Sequence, residues 1–215
     1  LVERGIEPAM AEEIANDMKV FSAYGFPESH AWSFALIAYA TCWLRAHRPA
    51  EFLLGLLNAW PMGFYAPATL IHDAKRHGVE VRPACLRDGD FECTAEWTDP
   101  VEQPALRIGW RHIRGAGTKL LDLLRAAHAA SPFISIAVVV ERACLTRSDA
   151  LSLARSGAFG AWEPDRRRAA WEALRAVGDI LPLAPAHHTT HDPAPMSRTD
   201  LVFLDYATTG VSIHG

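Results

Sequence analysis

The sequence predicts a mainly α protein with a small β-hairpin near its middle and an extended C-terminal linker. Three observations lead there. Apolar residues recur at helical spacing from 8 to 78 and again from 118 to 176. Between those stretches, 87–110 lose that spacing and alternate apolar with polar. Beyond 179, Pro182, Pro185, Pro193 and Pro195 interrupt any regular element. A chain of 215 residues with 50% hydrophobic content can bury one sizeable core or two modest ones.

Residues 8–22 form the first helix, because Met10, Ile14, Met18 and Phe21 share one face and Pro8 is tolerated in a first turn. Gly25-Phe26-Pro27 stops it, since proline fixes φ and biases the preceding residue away from the helical region. A buried central helix follows, to about His47, with Ser29 as its N-cap. Its core, Ala31 to Leu44, is 14 residues without a charge, too short to span a membrane. Ser29 and His30 at its mouth read either as a cap beside a histidine satisfied in the core or as a small polar site.

Pro49 opens a helix over 50–58 whose leucines must pack on neighbours. Pro61-Met62-Gly63-Phe64-Tyr65-Ala66-Pro67 is a loop whose aromatics are either a contact surface or a plug into the core. A helix over 67–77 turns Leu70, Ile71 and Ala74 inward and Asp73, Lys75 and Arg76 outward, with Gly78 as its C′ residue. Val79-Glu80-Val81 is a short strand ending at Pro83. Asp88 and Asp90 belong to a turn. Phe91-Glu92-Cys93 pairs antiparallel with 105–109 through the Asp99-Pro100 turn.

Two glycine-bearing bends between helices come next. In the first, His112-Ile113-Arg114-Gly115-Ala116-Gly117 precedes Thr118 as N-cap and a helix over 119–130. In the second, Ser148 and Asp149 cap a helix over 150–156, which stops at Gly157-Ala158-Phe159-Gly160. A further helix runs from near Pro164 to about Ala176. This is the shape of the helix-hairpin-helix class. Glycines let the backbone approach a phosphate, and the amides at the next helix N-terminus point at it. The candidate DNA contacts are Arg114, Gly115, Gly117, Thr118 and Lys119 in the first bend, and Arg155, Gly157 and Gly160 in the second. Such contacts ignore base identity and weaken with salt.

The charge distribution agrees. Net charge is −4 overall, but residues 101–180 hold 12 basic against 8 acidic side chains, 11 of the 12 being arginine. Arginine suits bidentate phosphate contact.

Cys42, Cys85, Cys93 and Cys144 show no metal-ligand spacing and read as reduced structural cysteines of a cytoplasmic protein. His187, His188 and His191 lack a partner cysteine and belong to the linker, so no metal site is expected. No signal peptide is recognised. The chain starts without Met inside a helical pattern, which suggests a piece of something longer. Phosphate-binding loops of the GxxxxGK[ST] kind, GxSxG elbows and HExxH helices are absent, as are paired carboxylates for two metals. A stand-alone enzyme using Ser29 and His30 would need an orienting acid and an oxyanion site, and neither is visible.

The motifs taken together resemble a known family. Phe26-Pro27-Glu28-Ser29-His30 and Asn58-Ala59-Trp60-Pro61-Met62-Gly63-Phe64-Tyr65 are similar to the fingers region of bacterial C-family DNA polymerases, the alpha subunit of DNA polymerase III, in its error-prone branch. Ile113-Arg114-Gly115-Ala116-Gly117 and Leu153-Ala154-Arg155-Ser156-Gly157-Ala158-Phe159 resemble its tandem helix-hairpin-helix. Asp205-Tyr206-Ala207-Thr208-Thr209-Gly210-Val211-Ser212 is similar to the lead-in to its OB-fold.

The resemblance implies four regions: fingers over 1–86, a β-hairpin connector over 87–110, tandem helix-hairpin-helix over 111–178, and a linker over 179–215. It implies an enzyme that copies primer–template duplex DNA from deoxynucleoside triphosphates in replication and lesion bypass. Its Mg2+ would be held by palm carboxylates outside this sequence, so this piece alone is expected to be inactive. Ser29, His30, Phe34 and Tyr39 are the implied nucleotide contacts. A sliding clamp and accessory translesion proteins are implied partners, and a membrane is not. Glu28 stands where replicative members have Lys, which removes one cation from the nucleotide's side. The alternative is a non-catalytic protein-interaction or structural helical module.

Overall fold

The computed structural model describes residues 5–23, 28–99, 102–178, 194–210 and 212. The chain divides into two compact units, Leu1–His47 and Arg48–Gly215. Helix is the main element in both. Among the described residues, no helix is long and apolar enough to cross a membrane.

The first unit holds α1 (Pro8–Ala23) and α2 (Glu28–His47). The predicted bounds are met, but α2 is not buried. Trp32, Phe34, Leu36, Ile37, Tyr39, Trp43 and Leu44 are all exposed. The physical reason is its sequence: a helix apolar on every side needs partners on every side, and this unit offers too few. Ser29 lies inside the helix rather than capping it, and its carbonyl accepts the Ser33 hydroxyl at 2.9 Å. Gly25-Phe26-Pro27 falls outside the described residues.

The second unit begins with α3 (Pro49–Asn58) and α4 (Pro67–Arg76), each started by its proline. Leu53 and Leu57 of α3 and Ile71 and Ala74 of α4 are buried together with Val79, Cys93, Leu106 and Ile108. That cluster lies against a small sheet of β1 (Val81–Arg82), β2 (Thr94–Glu96) and β3 (Ala105–Arg107).

The predicted antiparallel pair is present, and a third strand extends it into a mixed sheet in the order β1-β3-β2. Strand β3 pairs antiparallel with β2, Ala95 opposite Leu106, and parallel with β1, Val81 opposite Leu106. The predicted strand at 91–93 moves to 94–96 because Phe91 and Cys93 hold other posts. The Phe91 carbonyl accepts the Arg111 amide, and Cys93 is bound on both backbone atoms by the Asn58 side chain.

A 3-10 turn, Trp110–His112, leads into five helices: α5 (Thr118–Ala130), α6 (Ile136–Arg142), α7 (Arg147–Ser156), α8 (Arg166–Val177) and α9 (Arg198–Thr208). A second core gathers Trp110, Leu124, Phe133, Ile136, Leu153 and Phe159, all buried. The Trp110 indole N–H donates to the Cys85 carbonyl at 2.8 Å, and the Leu86 amide donates to the Ala158 carbonyl at 2.9 Å. The strand-bearing segment is thereby tied to the second bend.

Helix α6, capped by Ser135, has no counterpart in the sequence reading. Its run Ile136-Ala137-Val138-Val139-Val140 is β-branched and too short for a clear helical period. The proline- and histidine-bearing stretch over 179–193, with His187, His188 and His191, lies outside the described residues. Part of the C-terminal span read as linker is helical, as α9.

Candidate nucleic-acid interface

Ile113, buried in the second core, anchors the first bend. Gly115 then turns the chain at φ +86°, a conformation that side-chain-bearing residues rarely adopt. Gly117 is the N-cap of α5, extended at φ −66° and ψ 163°, with no side-chain cap on the helix. Thr118, predicted as that cap, is the first helical residue instead. Burial of Leu120, Leu121, Leu124 and Ala127 fixes the axis of α5 from behind.

The consequence is an open helix end. The first intrahelical bond runs from the Leu121 amide to the Gly117 carbonyl, at 3.1 Å. The amides of Thr118, Lys119 and Leu120 therefore have no partner on their own helix. Gly115, Gly117, Thr118 and Lys119 are exposed, and a Cβ on Gly117 would meet nothing within 4 Å. Three amides without a helical or side-chain cap partner, and the exposed Lys119, thus stand at the positive end of a 13-residue helix.

The second bend is built differently. Helix α7 starts one turn earlier than predicted, capped by Thr146, whose side chain accepts the Asp149 amide while Asp149 accepts the Thr146 amide. Gly157 is the αL residue that ends α7, at φ +82°, and its amide donates back to Ala154. The Gly160 amide donates to the Gly157 carbonyl at 2.9 Å. Arg155 and Gly160 are exposed. At the start of α8, the Asp165 carboxylate accepts the amides of Arg167 and Arg168 at 2.8 and 3.0 Å. These helix-end donors already serve an internal anion.

Behind this bend lies a buried polar network that sequence reasoning missed. Arg166 packs against Gly157 and donates to the Asp205 carboxylate on α9 and to the Arg155 carbonyl. Asp205 also accepts the Ser212 hydroxyl at 3.0 Å. Arg114 in the first bend bonds the same helix. Its amide donates to the Thr208 carbonyl and its guanidinium to the Tyr206 carbonyl, at 2.6 and 3.1 Å. Helix α9 is therefore held by Arg114 of the first bend and by Arg166 at the start of α8. The apolar run from Leu201 was the one sequence sign of it.

Many of the arginines in and beside the basic stretch 101–180 have internal partners. Arg111 donates to Glu92 and to the Asn58 and Trp60 carbonyls. Arg142 donates to the Ala127 and Pro132 carbonyls, and Arg167 to that of Ala194. Arg107 pairs with Glu96, as does Arg82. Burial raises the Glu96 pKa, but the hydrogen bonds from Arg107 and Arg82 outweigh it and hold the carboxyl below the usual range. Burial, helped by Arg111, pushes the His112 pKa down. Burial pushes the Cys93 thiol up to about 11, which keeps it protonated and inert.

A cleft of about 320 Å³ lies beside the second bend, lined by Pro83, Cys85, Asp88, Arg107, Gly160 and Arg166. Its charged groups are already paired, Asp88 with Arg87, Arg107 with Glu96 and Arg166 with Asp205.

Ser29, His30, Phe34 and Tyr39 belong to the other unit, along the exposed α2. The His30 ring meets the Phe34 ring edge-on, with centroids 4.5 Å apart, one helical turn on.

Residues 78–169 match the family described as helix-hairpin-helix motif. The chain is also similar over its whole length to proteins named error-prone DNA polymerase. It is 45% identical over 225 residues to that of Anaeromyxobacter sp. (strain K) and 42% identical over 222 residues to that of Burkholderia pseudomallei (strain K96243). The alignments cover 100% of this chain but 20% and 21% of those relatives. The chain thus spans about a fifth of the length of the curated relatives it matches.

Proposed function

We propose that this chain works as a segment of an error-prone DNA polymerase, holding primer–template duplex by sequence-independent backbone contacts. The observation that carries this is the uncapped N-terminus of α5, inside the stretch matched as helix-hairpin-helix. Its three amides without a helical or side-chain cap partner and the exposed Lys119 suit a phosphate, whereas Asp165 already fills the same position at α8. The first bend is the DNA contact in this reading, and the second is its scaffold.

The nucleotide-positioning part belongs to α2. Ser29 and His30 sit in its first turn, with Phe34 against the His30 ring and Tyr39 further along. Orientation and charge stabilisation of an incoming triphosphate are what such groups supply. Among the described residues there is no grouping of three or more His, Cys, Asp or Glu side chains able to hold a metal. In this reading the Mg2+ that nucleotidyl transfer requires belongs to carboxylates elsewhere in the parent enzyme, and no transfer step is assigned to this chain. Damage-induced synthesis, a sliding clamp and accessory proteins belong to that parent. A protein-interaction role has one observation in its favour, the exposed apolar length of α2, and packing against the rest of a polymerase accounts for it equally.

Thr118→Pro is the test. Gly117 is already in the extended conformation that a following proline demands, and proline is favoured at the first helical position. The substitution removes one amide and leaves the helix intact. Duplex affinity at fixed salt should fall about tenfold, the worth of one hydrogen bond to a charged acceptor, with the melting temperature unchanged. Unaltered affinity would exclude α5 as the phosphate site.

A further inference from the structure

The loop joining α3 to α4 presents Phe64 and Tyr65 to solvent at 104% and 64% of full exposure, and Met62 beside them is also exposed. A phenylalanine held wholly in water forgoes the burial that its side chain would otherwise gain. The loop is nonetheless held at both ends. The Asn58 side-chain amide donates to the Cys93 carbonyl at 3.0 Å, and its oxygen accepts the Cys93 amide at 2.8 Å. The Arg111 guanidinium donates to the Asn58 and Trp60 carbonyls at 3.2 and 2.7 Å. At the far end, Pro67 opens α4, which is rooted by buried Ile71 and Ala74.

Arg111 lies in the turn that runs directly into the first bend. The aromatic tip and the open end of α5 therefore share one anchor. From Phe52 to Ile71 the chain carries no charged residue, and the carboxylate at the foot of the loop, Glu92, is paired with Arg111. The tip is a pair of adjacent rings on a narrow loop, not a groove. A ring face stacks on any base without reading its sequence.

We infer that this loop is a base-stacking site, at which Phe64 and Tyr65 take the face of an unpaired nucleobase in single-stranded DNA flanking the duplex. The inference rests on the proposed DNA-holding role, and its test separates the two. Affinity of the 215-residue chain is measured by fluorescence anisotropy on a blunt duplex and on the same duplex with a single-stranded overhang. The wild-type chain should prefer the overhang, and Phe64→Ala with Tyr65→Ala should lose that preference, by about tenfold, while binding the blunt duplex unchanged. Phe64→Trp should keep the preference and Phe64→Leu should not, which separates stacking from bulk.

Iododeoxyuridine in the overhang should photocrosslink to the peptide carrying Phe64 and Tyr65. Retention of the overhang preference by the double alanine variant would overturn the inference and leave the loop as a protein-docking surface. A wild-type chain that binds the blunt duplex but ignores the overhang would overturn it too, with the duplex-holding role intact. Failure to bind either DNA would remove both.

Discussion

Arg111 serves the Glu92 carboxylate and the Asn58 and Trp60 carbonyls at once. Next to it, His112 is half-buried with its Nε2 lacking a hydrogen-bond partner among the described residues. Burial, then the nearby Arg111, keeps this imidazole neutral below its ordinary range. The unfolded chain takes up that proton at about pH 6.5, so the folded state loses stability as pH falls below that value.

Glu96 acts in a lower window. Its folded pKa lies below the usual carboxylate value because Arg107 and Arg82 outweigh its burial. Its contribution is full above about pH 4.3 and is lost as pH falls through the folded pKa. Denaturant midpoints across pH should therefore drop in two stages. His112→Gln should flatten the first stage only, and Glu96→Gln the second only. If both variants track the wild-type curve in shape, the assignment of these groups fails. None of this was legible beforehand, because a sequence counts arginines without showing which carbonyl each one reaches.

At the scale of elements, α5 and α8 follow glycine bends of similar sequence and end up with opposite capacities. The difference is one residue, Asp165, placed to accept the first amides of α8 while Gly117 leaves those of α5 open. Helical spacing and proline positions made α1, α3, α4, α5 and α8 readable to within a few residues. They could not reveal the parallel pairing of Val81 with Leu106, since contacts between distant segments leave no local pattern. Helix α9 is the clearest such case. Its place depends on Arg166 meeting Asp205, 39 positions apart and both buried.

Asp205→Ala would strand the Arg166 charge in the interior, at a cost of about 3–5 kcal/mol. Urea unfolding should show that loss, whereas replacing both residues by leucine and methionine should recover much of it. A loss below about 1 kcal/mol, the level of an exposed pair, would mean that α9 is not held as described.

For the molecule as a whole, net charge is a poor guide to its hold on DNA. Residues 101–180 carry 12 cations. If each neutralised a phosphate, log affinity would fall against log salt with a slope of about −11. The fold turns most of those side chains to other ends. Arg107, Arg111, Arg114, Arg142, Arg166 and Arg167 donate to carbonyls or carboxylates, and Arg125 lies over the Phe91 ring. Exposed cations without a partner among the described residues of that stretch are Lys119, Arg147, Arg155 and Arg175. The slope should accordingly be no steeper than about −4. Lys119→Ala should make it shallower by about one unit. Arg114→Ala should change it little, because its main effect is to release the Tyr206 carbonyl and loosen α9. Titration of a labelled duplex over a range of salt concentrations measures all three. A wild-type slope near −10 would mean that many more cations than these four reach phosphate.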